Sequence, residues 1–89
     1  MQIIPTSAPA VLYQGDAAIT SQTVTVNAAT HGIANIQPTD TVSAAVKDDD
    51  TGGTLGGIVS SSVSGTDLVV VLQNPPVNND GQLAVTVTR

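Results

Sequence analysis

The stretch TVSAAVKDDDTGGTLGGIVSSSV, Thr41 to Val63, decides how this chain is read. Its left flank alternates, with Val42, Ala44 and Val46 on one face of an extended backbone. Its right flank belongs to a second strand expected over Thr54 to Gly65. There the alternation of Val59, Ser61 and Val63 is imperfect, and Gly56-Gly57 mark a bulge or a close backbone approach. Between the flanks stand Asp48, Asp49 and Asp50, then Gly52-Gly53. Two strands need a turn between them. Aspartate favours turns and the glycine pair permits positive φ. The segment is expected to be the exposed tip of a β-hairpin.

The rival reading is a cation loop. Calcium takes six to eight oxygens, and Asp48 to Thr51 offer several, with Asp80 able to approach from another loop. Neighbouring side chains on a strand point to opposite faces, so only Asp48 and Asp50 could share one ion. The spacing is neither that of an EF-hand nor that of the glycine-rich calcium repeat. The turn explains the residues already, so no metal and no other cofactor is assigned.

Working outward, the composition points the same way. Val, Ile and Thr make up 31 of the 89 residues, and branching at Cβ favours pleated strands over helices. Glutamate is absent and helix formers other than alanine are scarce. Further strands are expected over Ile19 to Ala28, briefly within Gly32 to Gln37, over Thr41 to Val46, over Leu68 to Asn74, and through QLAVTVTR at the end of the sequence. Leu68 to Asn74 is apolar on both faces, so it reads as a central strand or one covered by a partner. Short strands punctuated by turns imply an all-β fold, a small antiparallel β-sandwich, Ig-like or jelly-roll-like. The sandwich is expected to occupy residues 19–89.

Residues 1–18 read as an extended N-terminal arm. Pro5 and Pro9 favour extended backbone, yet Ile3, Ile4, Val11, Leu12 and Tyr13 are apolar and need cover. Two readings stay open: an edge strand of the chain's own sheet, or an arm docked on a neighbour. In the second case those five residues form the interface. The core is expected to be thin, because there is no Cys, Trp or Phe and Tyr13 is the only aromatic residue. Stability gained from a partner surface, including other copies of the chain, is therefore expected.

The net charge of −5 argues against nucleic acid, which needs a basic patch, and against anionic membrane surfaces. No apolar run approaches the length of a membrane span. The first residues lack the basic flank of a secretory signal. With Met1 as the native start, synthesis in a cytoplasm is expected. Catalytic material is sparse. His31 is the only histidine, in an expected turn, and no GxSxG elbow accompanies the serines. Without aromatic residues there is no stacking platform for a sugar ring. The chain is expected not to be an enzyme.

The last third, SSVSGTDLVVVLQNPPVNNDGQLAVTVTR, resembles the C-terminal half of small sandwich domains in bacteriophage capsid decoration (cement) proteins and tail proteins. The features that carry the likeness are a Ser-Gly turn, a valine-rich strand ending in Asn-Pro, a loop, and a final G-x-L-x-V-x-V strand. Bacterial Ig-like adhesin modules share this punctuation. The resemblance implies a virion protein on the outer capsid surface, bound to the major capsid protein and locking capsomers together. It also implies a homo-oligomer, with trimers favoured over dimers. It transfers no catalytic residue. The alternatives are a phage tail or fibre module, and a cell-surface Ig-like binding module with calcium in the Asp loop.

Overall fold

A computed structural model describes residues 10–33, 35–53 and 55–89. Among the described residues there are six strands: β1 (Val11–Ile19), β2 (Thr23–Asn27), β3 (Thr41–Asp48), β4 (Ile58–Ser64), β5 (Asp67–Leu72) and β6 (Gly81–Thr88). They form two three-stranded antiparallel sheets, ordered β1-β6-β3 and β2-β5-β4. The all-β sandwich expected from the valine and threonine content is the fold observed.

Alternation sets which residues face inward. Val42 lies opposite Val87, Ala44 opposite Val85 and Val46 opposite Leu83 on the inner face of the first sheet. Val24 pairs with Val70, and Val26 with Leu68, on the inner face of the second. Ile19, Leu68, Val70, Leu72, Leu83 and Val87 are fully enclosed. Each contributes roughly 1.5–3 kcal/mol of transfer free energy by being buried. As expected, the core is aliphatic. Tyr13 packs at its margin.

Several expectations change. The strand expected over Ile19 to Ala28 is broken at Thr20–Gln22, where the chain leaves one sheet and enters the other. Ser21 takes part in that break, its Oγ lying against both the N–H and the carbonyl of Thr23. No strand forms within 32–37 among the described residues. The connection carries a short 3-10 turn, Ala29–His31, closed by Gly32 at φ 73°. Residues 11–18 belong to the sandwich, because β1 pairs with β6 from Val11↔Thr88 to Ile19↔Gly81. The sandwich therefore begins no later than Val11, and not at residue 19. β5 is the centre of its sheet, one of the two readings of its apolar run.

The largest correction concerns the opening stretch. β3 and β4 are not a hairpin. β3 pairs with β6 and β4 with β5, so the segment between them crosses from one sheet to the other. The imperfect alternation after it has a local cause. A register shift between Ile58 and Ser60 turns Val59 outward, 63% exposed, while Ile58, Ser61 and Val63 face in.

The long sides of the sandwich are closed. Along the β3–β4 side, the inward Ser61 hydroxyl donates to the Val42 carbonyl at 2.6 Å, joining the two sheets. Along the β1–β2 side, the Tyr13 ring meets His31 edge-on with centroids 5.6 Å apart. That ring also lies where a side chain at position 15 would go, which is why Gly15 fits beneath it.

Candidate functional site

The aspartate loop is built around one buried side chain. Asp50 is only 2% exposed. Its Oδ2 accepts the backbone N–H of Val77 at 2.7 Å and of Asn78 at 2.9 Å, and its Oδ1 accepts that of Asp80 at 3.2 Å. Its own N–H donates to Asp49 Oδ1 at 2.8 Å. Its carbonyl accepts from Gly53, closing a turn in which Gly52 and Gly53 have φ of 105° and 62°. That turn requires the glycines, since a side chain is strained at such angles.

The loop between β5 and β6 answers in kind. Asp80 Oδ1 accepts the Thr51 N–H at 2.7 Å and its Oδ2 accepts the Thr51 hydroxyl. Asn78 Nδ2 donates to the Thr51 carbonyl at 2.5 Å. Two loops that each cross between sheets are thereby laced together at one end of the sandwich. Gly81 makes the approach possible. It is buried, and a Cβ there would stand 3.0 Å from the Asp48 carbonyl oxygen and 3.3 Å from the Asp50 nitrogen. Leu55, fully enclosed, fills the space below.

Electrostatics follow from the donors. Burial pushes the Asp50 carboxyl up, but the N–H groups of Asn78, Val77 and Asp80 outweigh it and hold the group below its ordinary value. Asp80 does approach from its own loop, as the sequence allowed, but it arrives by hydrogen bonds to Thr51. Asp50 is not on an exposed tip, and both its oxygens face N–H dipoles, an arrangement that suits an anion and opposes a cation. Asp48 is exposed and sits in β3 opposite Gln82. It takes no part in the hydrogen bonds that hold Asp50. Among the described residues, no group of three or more His, Asp or Glu side chains is placed to hold a metal ion.

A second buried carboxylate lies at the other end. Asp40 is 6% exposed. Arg89 grips it with two bonds of 3.0 Å, Nε to Oδ1 and Nη2 to Oδ2, and Nη2 also donates to the Asn35 carbonyl at 2.6 Å. The Gln37 N–H adds a bond of 2.8 Å to Oδ2. The Arg89 guanidinium first, then the Gln37 N–H, hold the Asp40 carboxyl below its ordinary value. This clamp ties the irregular connection 28–40 to the end of β6. Lys47 and Asp16 pair across the outer face of the first sheet at 2.7 Å, an exposed contact of the kind that adds little.

His31 is exposed. Its Nδ1 lies within hydrogen-bond reach of the Asn27 carbonyl at 3.0 Å and of Thr30 Oγ1 at 3.1 Å. Of the residues expected to form an interface, Ile3 and Ile4 lie outside the described residues. Leu12 and Tyr13 are half-buried against the chain's own core. Val11 is 61% exposed.

The end that carries Asp40 also holds an open hollow of about 400 Å³, lined by Ala28, Ala29, Ile33, Asn35, Ile36 and Thr66. Nothing in the sequence marks it, because these residues come from two connections that meet only in the fold. Asp50 was visible as a residue but not as a staple. The clue lay in the facing loop, where a Val-Asn-Asn-Asp-Gly run supplies N–H groups with no strand to receive them. Compared with protein-family models, curated proteins and solved structures, the chain matches none.

Proposed function

We propose that this chain is a structural protein of a bacteriophage particle, a decoration protein seated on the outer capsid surface. The observation that supports the reading is how the polar side chains are spent. Both buried carboxylates, Asp40 and Asp50, are consumed in fixing loops to the sandwich. What remains outward is flat and small-featured. On the second sheet Thr23, Val71 and Ser60 form one row, and Thr25, Val69 and Ser62 the next. Such a face suits broad, shallow contact with another protein surface better than capture of a small molecule. Repeated around a shell, modest contacts of this kind add up through multivalency.

The test is fractionation. Virions made by cells that express the chain are separated into capsids and tails, and the chain is quantified in each. Copies in fixed ratio to the major capsid protein support the reading. Recovery with tails points to a tail or fibre module, and absence from virions overturns the proposal altogether.

A further inference from the structure

The clasp between the β3–β4 loop and the β5–β6 loop ends on a reactive pair of residues. In an Asp-Gly step the glycine nitrogen can attack the aspartate side-chain carboxyl carbon, because glycine carries no Cβ to hinder it. Asp80-Gly81 is the one Asp-Gly step in the sequence, and there is no Asn-Gly step. We propose that Asp80 is a modification site, at which the backbone isomerises to isoaspartate when the clasp opens. The closed clasp suppresses the reaction, and the reaction, once complete, keeps the clasp from closing again. The step needs no reagent but water. The Gly81 nitrogen bonds to Asp80 Cγ, and one carboxyl oxygen leaves as water with the amide proton. The five-membered succinimide then takes up a water at either carbonyl. Addition at Cγ restores aspartate, and addition at the backbone carbonyl leaves the chain running through Cγ.

The fold restrains every part of that ring. Asp80 Oδ1 accepts the Thr51 N–H at 2.7 Å and Oδ2 accepts the Thr51 hydroxyl, so the carboxyl is committed to the other loop. The Asp80 N–H donates to the buried Asp50 at 3.2 Å, and Gly81 is held in the β1–β6 ladder opposite Ile19. Ring closure requires rotation about the Asp80 backbone and about its Cα–Cβ bond, and these contacts oppose both. The coupling also runs the other way. Isoaspartate lengthens the backbone by a methylene group just before Gly81. There is no room for it, since a Cβ at Gly81 would already stand 3.0 Å from the Asp48 carbonyl oxygen and 3.3 Å from the Asp50 nitrogen. The shift also draws the shortened Asp80 side chain away from Thr51. Asn78 and Asn79 share the loop, but neither precedes glycine, and their reaction would turn an amide into an acid and change the mass.

The experiment ages the full chain at one pH and temperature, in buffer and in unfolding urea. Isoaspartate is counted by enzymatic methyl labelling. It is located by digestion with a protease that cuts before aspartate but not before isoaspartate, so modified chains keep residues 67–89 in one peptide of unchanged mass. Isomerisation at Asp80 is expected to be at least about tenfold faster in urea, since several hydrogen bonds of ordinary strength must open first. Equal rates in urea and buffer, or label only in peptides whose mass has risen, overturn the proposal. Two folded variants separate opening of the clasp from unfolding of the whole domain. Thr51→Val removes one bond to Asp80 and should raise the rate in buffer about three- to tenfold. Ser61→Ala weakens the β3–β4 side and leaves the clasp intact, so its rate should match wild type. Equal acceleration in both variants overturns the role of the clasp. Isomerised chain returned to buffer is expected to melt below unmodified chain treated alike, and an identical melt overturns the claim that the modification holds the clasp open.

Discussion

Replacing Leu55 with alanine tests whether the loop between β3 and β4 belongs to the core. Leu55 is fully enclosed although it lies in no strand. Truncating a buried leucine costs about 2–5 kcal/mol, and the cost rises with the cavity left behind. Here the wall is poorly able to relax. Gly81 lies beside Leu55, and the Leu55 Cδ1 stands 3.3 Å from where a Cβ at 81 would be. Glycine has no side chain to swing into the vacated space. The Leu55 carbonyl is also held, by the Asn74 N–H at 3.0 Å. A loss of about 3 kcal/mol or more is therefore expected. A domain of this length has roughly 4–13 kcal/mol in total. The melting temperature should fall by at least about 12 °C. With no tryptophan to report, far-UV circular dichroism in heat and urea is the assay. V59A, at an outward position, is the control and should stay within about 0.5 kcal/mol of wild type. A Leu55→Ala loss below about 1 kcal/mol would refute the reasoning, because it would make the segment a surface loop.

Four further outcomes are expected. Asp50→Asn should lower the melting temperature clearly more than Asp48→Asn, since an amide must turn its NH2 toward one of the N–H donors now facing a carboxylate. Millimolar calcium should leave the wild-type melt unchanged, and a calcium-dependent rise would restore the cation reading. Ser61→Ala strands the Val42 carbonyl and should cost about 1 kcal/mol; a neutral result in urea titration would mean water serves that carbonyl equally well. For pH, Asp40 and Asp50 both have folded values below their unfolded ones. Their stabilisation is complete above the unfolded value and is lost as pH falls through the folded values. Thermal melts should be flat from pH 7 to about 5 and decline below about 4. A decline centred above pH 5 would contradict this assignment.

What the sequence disclosed and what it hid divide along a physical line. Period-two alternation is a local property, so TVSAAV, TVTV and QLAVTVT are legible as strands with correct inner faces. Pairing is not local. Nothing in KDDDTGGTLGG distinguishes a hairpin tip from a crossing between sheets, because both need a turn with positive φ. The difference lies in which strand receives β3, and that strand, β6, is far off in sequence. Asp50 was misplaced for the same reason. Its burial is tolerable only because three N–H groups from residues 77–80 converge on it. The arm and sandwich merged because prolines at 5 and 9 weigh on residues 1–9, whereas Val11 onward answers to β6.

The order of the strands also sets a schedule for folding. β5 and β6 are the centres of the two sheets, yet every strand that leans on them, β1 to β4, is synthesised earlier. The second sheet can assemble once β5 exists, and among the described residues β4 with β5 forms the one hairpin between successive strands. The first sheet has no centre until Gly81–Thr88 is made. Its outermost pair, Val11 and Thr88, is separated by 77 positions (88 minus 11). Closing so long a loop before any reward is slow. β1 and β3 therefore wait as unpaired, valine-bearing segments, and the nascent chain is most vulnerable to misassociation before β6 is made.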